Sequence, residues 1–581
     1  FFLFFFFFFS FRYRADEGVG TFVWDVFFAA MMLALAPPAH ADAARVRDIA
    51  FSNMATTVFS RTMTGMVPNY CNGRACTYDR TEPQLGAWVL DMLTQRRPPE
   101  DQWIVALLMP PLLGWNNWTM AARRGPPVPG CAASAGSDGR AALVSLGSDA
   151  TQPPGLNTPH TLAAARYESG LDNSPQYDGN DNPPGEGMGV GPVRFNASLS
   201  LMELYDVAFS AYFVLDAQAL QRLSARIHGP AMPYLAERAR QGQAAINACL
   251  LDPATSVYTN RLFNGTFYRR YAPTVFAPLL AGVSASNQTV TALLDILASP
   301  RGFCANETHL ADRVLVVRLE SDPHDTYGAA GESTACAQPA CLQQVLLDVY
   351  NFASVEGRAL AEPAPGGTVP LYWFRSDTYA DNVLLTAAAA HAVLDTTYAQ
   401  QRPEAQGHCF TDASPGRSPL TVWRRTHGQP ELRVCASAAC LAEAHAQGYA
   451  AAAAAPICFL ETVDASNVGP DAPCTFALPS IARADTAFMD NLYWRGRLWA
   501  PQMFLTYAAW LPLAATDARA KSALDVLARS AARLFDQQWQ LFGQINENTN
   551  GLLGTGSDSV RADSYYHWGW LDLVVGRGWG F

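Results

Sequence analysis

The sequence predicts an all-α fold in which helical hairpins surround a common axis. After residue 20, apolar residues recur at helical spacing, and these stretches alternate with connections rich in Gly, Pro and Asn. Few runs show the strict two-residue alternation of a half-buried strand. In a ring of hairpins the loops converge at one end, so we expect the functional site there. The predicted helices span about residues 25–36, 42–61, 82–95, 101–122, 197–225, 231–250, 286–299, 499–514, 517–537 and 560–575.

The composition indicates a globular protein that does not bind nucleic acid. Of 581 residues, 49% are hydrophobic and 16% are charged, and the net charge is −11. A chain with this charge has no basic stripe for a phosphate backbone. Its length allows a sizeable core, in one very large domain or in several ordinary ones. The sequence does not indicate an oligomeric state.

Cysteines and glycosylation sequons together predict an oxidising compartment. The chain has twelve cysteines, and three pairs of them share one spacing, which is typical of disulfides. No C-x2-C pair or nearby histidine spacing predicts a zinc site. We therefore expect a glycoprotein of the secretory pathway, lumenal or extracellular. Sequons begin at Asn117, Asn196, Asn264, Asn287 and Asn306.

The N-terminal region has two interpretations. Residues 1–19 begin with FFLFFFFFF, which we interpret as low-complexity or wrongly predicted sequence without an assigned fold. The next run, VFFAAMMLALAPPAHADA, ends like a signal peptide. However, Asp16, Glu17 and Asp25 stand where a signal peptide carries basic residues, and the run is too short to span a membrane. The helical periodicity of this run continues through AARVRDIAFSNMATTVF. A pair of packed helices would therefore explain both the apolar run and the segment that follows it.

Residues 305–473 differ in composition from the rest of the chain. Eight cysteines lie between residues 304 and 474, and two segments with related sequences are 99 residues apart. Two copies of a small disulfide module would give this pattern. The block GHCFTD…VCASAAC…GYAAAAAAPICF also resembles a WSC module, a unit associated with carbohydrate binding; the alternative is a disulfide-stapled insertion without a ligand. The equivalent positions are Cys336 and Cys435, Cys341 and Cys440, and Tyr350 and Tyr449.

A cluster of acidic residues lies on a predicted turn. The stretch RYESGLDNSPQYDG, residues 166–179, places Glu168, Asp172 and Asp178 among residues that interrupt helices and strands. Glycoside hydrolysis requires one carboxylic acid to protonate the leaving oxygen and one carboxylate to activate water. A carboxyl group held on a turn, away from any helix, suits such a role.

Six blocks in the same order resemble glycoside hydrolase family 63 and its relatives, the mannosylglycerate hydrolases and trehalases. The resemblance covers nearly all of 20–304 and 474–575 and implies an (α/α)6 barrel that hydrolyses glycosides with inversion. It also implies that residues 25–41 form a barrel helix, so that the true start of the chain lies upstream. The blocks are TFVWDVFF, GMVPNYCNGRACTYDRTEPQ, LLMPPLLGWNNW, YESGLDNSPQYDG, ALPSIARADTAFMDNLYWRGRLWAPQMF and QINENTNG.

The resemblance implies three segments after residue 19 and two catalytic residues. Residues 20–304 and 474–581 would form the two parts of the catalytic barrel, with 305–473 inserted between them. Asp172 would be the general acid and Glu547 the general base, although Thr549 replaces the aromatic residue usual after the base. Glu168 and Asp178 would bind sugar hydroxyls or support Asp172.

Further residues would line the sugar site by the same resemblance. Aromatic faces and planar hydrogen-bonding groups are what a sugar requires in a concave site. No cofactor is expected, although the oxygen-rich stretch 178–187 could hold calcium without following EF-hand spacing. The predicted substrate-binding residues are Trp24, Asp25, Asn69, Arg80, Glu168, Asn173, Trp494, Arg495, Trp499 and Trp570.

The sequence therefore predicts an inverting α-glycosidase that acts on an α-linked glucoside or mannoside, either an oligosaccharide or a small glycoside. Processing α-glucosidases share the SGLD sequence, and mannosylglycerate, glucosylglycerate and trehalose are open alternatives. A carbohydrate-binding protein that has kept the pocket and lost turnover is the alternative from another functional class. No membrane span is predicted.

Overall fold

A computed structural model describes the protein at residues 11–12, 19–34, 43–72, 75–95, 99–150, 159–180, 189–306, 313–321, 333–336, 350–360, 363–364, 367–376, 378–379, 381–401, 403, 405–427, 431–462, 474–542, 544–551, 554, 556, 562–563 and 567–576. These residues divide into two compact units. The first comprises residues 1–305, 478–532 and 566–581, and the second comprises 306–477 and 533–565.

Fourteen α-helices form within the described residues. They are α1 Val23–Ala34, α2 Ala43–Phe59, α3 Gly86–Gln95, α4 Trp103–Ala122, α5 Leu162–Tyr167, α6 Val207–Arg226, α7 Pro233–Ala245, α8 Ala277–Leu280, α9 Asn287–Ala298, α10 Ala387–Val393, α11 Ala438–Ala446, α12 Ala500–Ala514, α13 Ala518–Phe542 and α14 Trp570–Gly576. None of these helices has the length and apolar character needed to cross a bilayer.

Six helices of the first unit contact one another in a closed order. Helix α1 packs on α3, α3 on α6, α6 on α8, α8 on α12, α12 on α14, and α14 on α1. Helix α6 is buried over most of its length, as expected of an inner helix that is apolar on several faces. Asp206 starts α6 by accepting a hydrogen bond from the backbone N–H of Phe209 at 2.7 Å. Helix α2 packs on α1, α4 packs on α3 and α6, and α7 packs on α6.

The N-terminal apolar run forms a buried helix, as predicted for residues 25–36. Phe27, Phe28 and Ala30 of α1 are fully buried, and α1 packs against α2. An isolated apolar helix of this length would have no such partners. The interpretation of these residues as a pair of packed helices is confirmed.

Short strands supply the connections of the first unit. They are β1 Phe11–Arg12, β2 Val19–Phe22, β3 Tyr70–Asn72, β4 Ser145–Gly147, β5 Phe195–Asn196, β6 Leu201–Tyr205, β7 Leu251–Asp252, β8 Val257–Tyr258, β9 Asn260–Leu262 and β10 Phe267–Tyr268. The helix predicted over 197–225 is wrong at its start, because residues before Asp206 pair as β5 and β6 instead. A turn with Ser200 in the left-handed region joins these two strands.

The second unit is rich in β-structure, so the all-α prediction holds only in part. Its described strands are β11 Arg313–Ser321, β12 Ser333–Cys336, β13 Tyr350–Leu360, β14 Thr368–Ser376, β15 Asp381–Leu385, β16 Tyr398–Gln400, β17 Gly407–Phe410, β18 Arg417–Arg425, β19 Leu432–Cys435, β20 Tyr449–Ala451 and β21 Cys458–Glu461. They surround a separate apolar core that includes Leu371, Leu384, Leu420 and Leu460.

The sequence repeat in this unit is also a repeat of strand pairing. Strand β11 pairs with β12 and β13, and β18 pairs in the same way with β19 and β20. The second copy carries the disulfide Cys435–Cys440, whereas Cys341 of the first copy lies outside the described residues. The matching partners are Val317 with Cys336, Ser321 with Tyr350, Thr421 with Cys435, and Arg425 with Tyr449.

Residues 533–565 group with the second unit, although the sequence placed them in the last part of a barrel. The guanidinium of Arg533 lies 5.3 Å from the ring centroid of Phe476. A Cβ atom on Gly554 would collide with the same ring. These contacts join the end of α13 and the following loop to the segment before residue 478.

Candidate active site

The acidic turn leaves helix α5 beside Trp24. Thr161 caps α5 by accepting a hydrogen bond from the N–H of Ala164 at 3.1 Å, and the helix ends at Tyr167. Gly170 then adopts φ +70°, a conformation that favours glycine. A Cβ atom on Gly170 would also lie 2.6 Å from the Trp24 ring. Both the backbone conformation and the lack of space therefore require glycine at this position. Asp172, two residues further along the turn, has a half-buried side chain.

Asn173 fixes the turn to the segment that carries Trp494. The Oδ1 atom of Asn173 accepts a hydrogen bond from the backbone N–H of Trp494 at 2.8 Å, and its Nδ2 donates to the carbonyl of Leu492 at 3.2 Å. Both ends of the buried amide are thus engaged within the protein. Asn173 therefore holds the turn against the segment that carries Trp494, and its contact with sugar stays a prediction.

Arg495 lies within a network of ion pairs around the buried Asp178. It donates to Asp178 Oδ1 at 2.8 Å and to Asp490 Oδ2 at 2.6 Å. Arg270 approaches Asp178 at 3.5 Å and pairs with Asp485 at 2.6 Å. Burial raises the pKa of Asp178, and the charge of Arg495 lowers it in part. This network closes the far end of the acidic turn.

Glu168 is enclosed by donors from the protein itself. Arg123 Nε donates to its two oxygens at 2.9 and 2.8 Å, and the backbone N–H groups of Thr81 and Gly147 donate at 2.9 and 2.6 Å. Both Glu168 and Arg123 are fully buried. These contacts make Glu168 a buried brace between Arg123 and the acidic turn, and its binding to a sugar hydroxyl stays a prediction.

Arg80 and Asn69 also form contacts within the protein. Arg80 pairs with Asp79 at 2.9 Å and lies over the ring of Tyr167, with 5.1 Å between the guanidinium and the ring centroid. Asn69 Nδ2 donates to Glu82 Oε1 at 2.8 Å. Both predicted residues are therefore next to the acidic turn, and they brace its neighbours.

The sequence did not single out Glu82. Its Oε2 atom accepts a hydrogen bond from the backbone N–H of Trp24 at 2.8 Å. Burial raises the pKa of Glu82 well above its ordinary value, and the charges of Asp25 and Asp172 raise it further. Pro83 could have indicated that Glu82 lies before the helix and not within it. A residue before proline favours extended backbone.

Four tryptophans form an aromatic wall beside these acids. Trp494 and Trp499 stack with ring centroids 3.5 Å apart and planes 8° apart, and Trp24 lies 6.2 Å from Trp494. The fourth member is Trp568, which the sequence did not single out, at 6.0 Å from Trp24 and 5.6 Å from Trp499. A 3-10 turn at His567–Gly569 places Trp568 inward, whereas Trp570 begins α14 and is only half-buried.

His567 secures Asp25 through its backbone. Its Nε2 atom lies 2.9 Å from the Asp25 carbonyl oxygen. Burial lowers the pKa of His567 to about 4, so the imidazole is neutral near pH 7. A neutral imidazole adds no positive charge beside the acidic groups.

A cavity lies inside the six-helix ring, behind the acidic turn. Trp24, Ser169 and Leu171 form one side of it, and Gln502 and Thr506 of α12 form another. Neither amide atom of Gln502 has a hydrogen-bond partner among the described residues, although the side chain is buried. Buried groups of this kind commonly bind ordered water.

Glu547 belongs to the second unit and sits in the loop after α13. Its backbone N–H donates to the carbonyl of Asp563 at 2.8 Å, and Asn548 Nδ2 donates to Glu547 Oε2 at 3.2 Å. Glu547 is 8% exposed, whereas Asp172 is half-buried. A general acid keeps its proton more readily when it is desolvated, so the assignment predicts that Asp172 is the drier of the two residues, and the structure shows the reverse.

Metal binding finds little support among the described residues. The one group of three potential ligands there is Glu356, Cys435 and Cys440, but the two cysteines form a disulfide. Glu356 instead accepts hydrogen bonds from the N–H groups of Ala436 and Ser437, each at 2.9 Å. Residues 181–187 of the stretch considered for calcium lie outside the described residues.

Comparison with known proteins identifies a family model for the first half of the chain. Residues 20–309 match the mannosylglycerate hydrolase MGH1-like glycoside hydrolase domain. No curated protein sequence matches the chain.

Solved structures show distant similarity. A family 63 mannosylglycerate hydrolase from Thermus thermophilus in complex with glucose is 13% identical, with a TM-score of 0.47 over 96% of this chain and 93% of that one. An uncharacterized conserved protein from the same organism is 13% identical, with a TM-score of 0.48 over the same shares. The neutral trehalase of Saccharomyces cerevisiae is 12% identical, with a TM-score of 0.34 over 50% of this chain and 56% of that one.

Proposed function

Residues 20–309 belong to the mannosylglycerate hydrolase MGH1-like glycoside hydrolase family, and from this premise we propose that the protein is an inverting α-glycosidase. One observation supports the proposal above the others. The turn that carries Asp172 packs at Gly170 against Trp24, next to a group of indole side chains that suits a sugar ring. The closed order of six helices in the first unit is compatible with the inner ring of an (α/α)6 barrel.

Asp172 is the proposed general acid and Glu547 the proposed general base. Asp172 gives its proton to the leaving oxygen as the glycosidic C–O bond breaks, and Glu547 takes a proton from the water that attacks the anomeric carbon. The water needs space on the opposite face of the sugar. We therefore propose that the two carboxyl groups face each other at roughly 6.5–9.5 Å in the active enzyme.

Fewer residues are proposed to contact the sugar than the sequence implied. Trp24 offers an aromatic face, and Asp25 lies next to it with a carboxylate that can accept hydrogen bonds from hydroxyl groups. Asn69, Arg80, Asn173 and Arg495 hold these groups in place through the contacts described above. Because pre-organised side chains lose less entropy on binding, such bracing raises affinity without touching the sugar.

The proposed substrates are α-linked glucosides or mannosides. Mannosylglycerate is one of them, because it is the substrate in the name of the matched family. A panel of aryl α-glucosides, aryl α-mannosides, glycerate glycosides, trehalose and glucosylated oligosaccharides would identify the substrate. If the protein hydrolyses none of these compounds, the proposed function is contradicted.

The stereochemical outcome provides a direct test. With a cleavable α-glycoside, we expect proton NMR to show the β-anomer as the first sugar product, before mutarotation equilibrates it. A retaining enzyme, whose carboxyl groups lie about 5–5.5 Å apart, would release the α-anomer first. An α product would refute inversion by Asp172 and Glu547. A sample quenched after full mutarotation calibrates the signals.

We also propose that the protein works in the secretory pathway or outside the cell. The described residues include the disulfides Cys71–Cys76, Cys131–Cys249, Cys409–Cys458 and Cys435–Cys440. The sequon asparagines Asn117, Asn264 and Asn287 are exposed and accessible to glycosylation. A mobility shift of the secreted protein after glycosidase treatment would support this location.

A further inference from the structure

The cavity inside the six-helix ring adjoins the residues proposed to act on the sugar. Trp24 belongs both to its lining and to the aromatic wall, and Leu171 of its lining precedes Asp172 in the acidic turn. The residues that line it all belong to the first unit. Its volume of about 20 Å³ is above the roughly 10–15 Å³ that one water needs. The cavity therefore has room for one water or one hydroxyl group, and not for a sugar ring.

Some polar side chains of the cavity lining are already hydrogen-bonded within the protein. The hydroxyl group of Tyr177 donates to Asp206 Oδ2 at 2.9 Å. The hydroxyl group of Ser169 donates to the carbonyl of Arg166 at 2.6 Å. Because each hydroxyl proton is directed at a protein acceptor, neither side chain offers a donor to a group in the cavity.

Gln502 differs from these side chains. It lies on α12, is 5% exposed, and has no hydrogen-bond partner for Oε1 or Nε2 among the described residues. Thr506, four residues further along the helix, lines the cavity on the same helical face. A buried amide without partners costs stability, so water or a ligand is expected to complete its hydrogen bonds. The cavity is the space in which such a group can reach Gln502.

We propose that Gln502 is a specificity-determining residue that hydrogen-bonds one hydroxyl group of the sugar, at the point where this group enters the cavity past Trp24. The inference rests on the proposed function, in which Trp24 offers its aromatic face to the sugar. An ordered water takes the same place in the free protein, and the sugar hydroxyl displaces it. Because the cavity admits one hydroxyl-sized group, it selects at one position of the ring. A sugar without that hydroxyl leaves the amide unpaired and is rejected.

A double-mutant cycle between protein and sugar tests the inference. Gln502→Met nearly keeps the size of the side chain and removes both hydrogen-bonding atoms of the amide. We would measure kcat/KM with the best aryl α-glycoside of the panel and with analogues that each lack one hydroxyl group. For one analogue, the wild type should lose about 10–100-fold relative to the parent compound. Gln502→Met should lose a similar factor on the parent compound and discriminate against that analogue by less than about threefold.

The control and the contrary results are defined by the same cycle. Gln288→Met, at an exposed position on α9, should discriminate among the sugars as the wild type does. Losses that add for every analogue in a folded Gln502→Met protein would overturn the inference. A wild type that loses less than about threefold on every analogue would overturn it too, whether or not the variant folds.

A crystal structure with bound glycoside distinguishes the two sources of a hydroxyl group. We expect a sugar oxygen within about 3.2 Å of Gln502 Oε1 or Nε2. A water at that place, with every sugar hydroxyl elsewhere, would overturn the inference.

Binding measurements separate the inference from the proposed function. Isothermal titration calorimetry with methyl α-glucoside, methyl α-mannoside and their deoxy analogues repeats the cycle without hydrolysis. The same coupling in a protein that hydrolyses no glycoside would support the role of Gln502 and refute only the hydrolase activity. Hydrolysis with additive losses would refute the role of Gln502 and leave the proposed function intact. A wild type that neither binds nor hydrolyses any of these sugars would overturn both.

Discussion

Asp172→Asn should reduce kcat by about 10²–10⁴-fold, because asparagine cannot protonate the leaving oxygen. The turn itself should survive, since it depends on Gly170 and on the bonds of Asn173, which the substitution leaves unchanged. Turnover of the best substrate from the panel measures the loss. Substrates with very acidic leaving groups should lose less, because their departure needs little protonation.

Glu547→Gln should cause a comparable loss, which does not depend on the leaving group. The base activates water in every reaction, so an activated aryl glycoside cannot bypass it. Asp295→Asn, at an exposed position on α9, is the matched control and should change kcat less than about twofold. If both active-site variants bound carbohydrate and the wild type showed no turnover, the chain would be a binding protein. Near-normal hydrolysis by Asp172→Asn would refute the acid assignment.

Arg123→Met should lower the free energy of unfolding by about 3–5 kcal/mol, because it leaves Glu168 buried without its charged partner. Arg123 also donates to Asp149 at 3.0 Å and lies 4.5 Å from the ring centroid of Trp118. Chemical denaturation followed by tryptophan fluorescence measures the change. The control Arg240→Met breaks an exposed pair with Glu237 and should have little effect.

The loss at Arg123 should grow with pH. Burial already raises the pKa of Glu168, and Arg123 opposes this increase. Without Arg123 the folded protein binds a proton on Glu168 more tightly, so the variant loses further stability as pH rises towards that higher pKa. The double variant Arg123→Met with Glu168→Gln should recover part of the loss at pH 8. A pH-independent loss without recovery would show that packing on Trp118 dominates.

Several parts of the fold could be predicted from sequence because they depend on neighbouring residues. Helices α1 to α4, α12 and α13 lie close to their predicted ranges, since apolar spacing and helix ends are local signals. The repeat around Cys336 and Cys435 was visible for the same reason. Residues 306–477 were predicted less well, because their strands are defined by partners far along the chain.

The sequence by itself determined that helices dominate residues 20–304, that a turn carries Asp172, and that a repeat lies within 305–473. Only the tertiary structure decided which side chains meet. It brought Trp568 to the aromatic wall, enclosed Glu168 with Arg123, and bonded Glu82 to the backbone N–H of Trp24. Spacing along a chain fixes which residues share a face, whereas burial and pairing depend on what the other elements bring to that face. The state of each carboxyl group is therefore a property of the packed molecule.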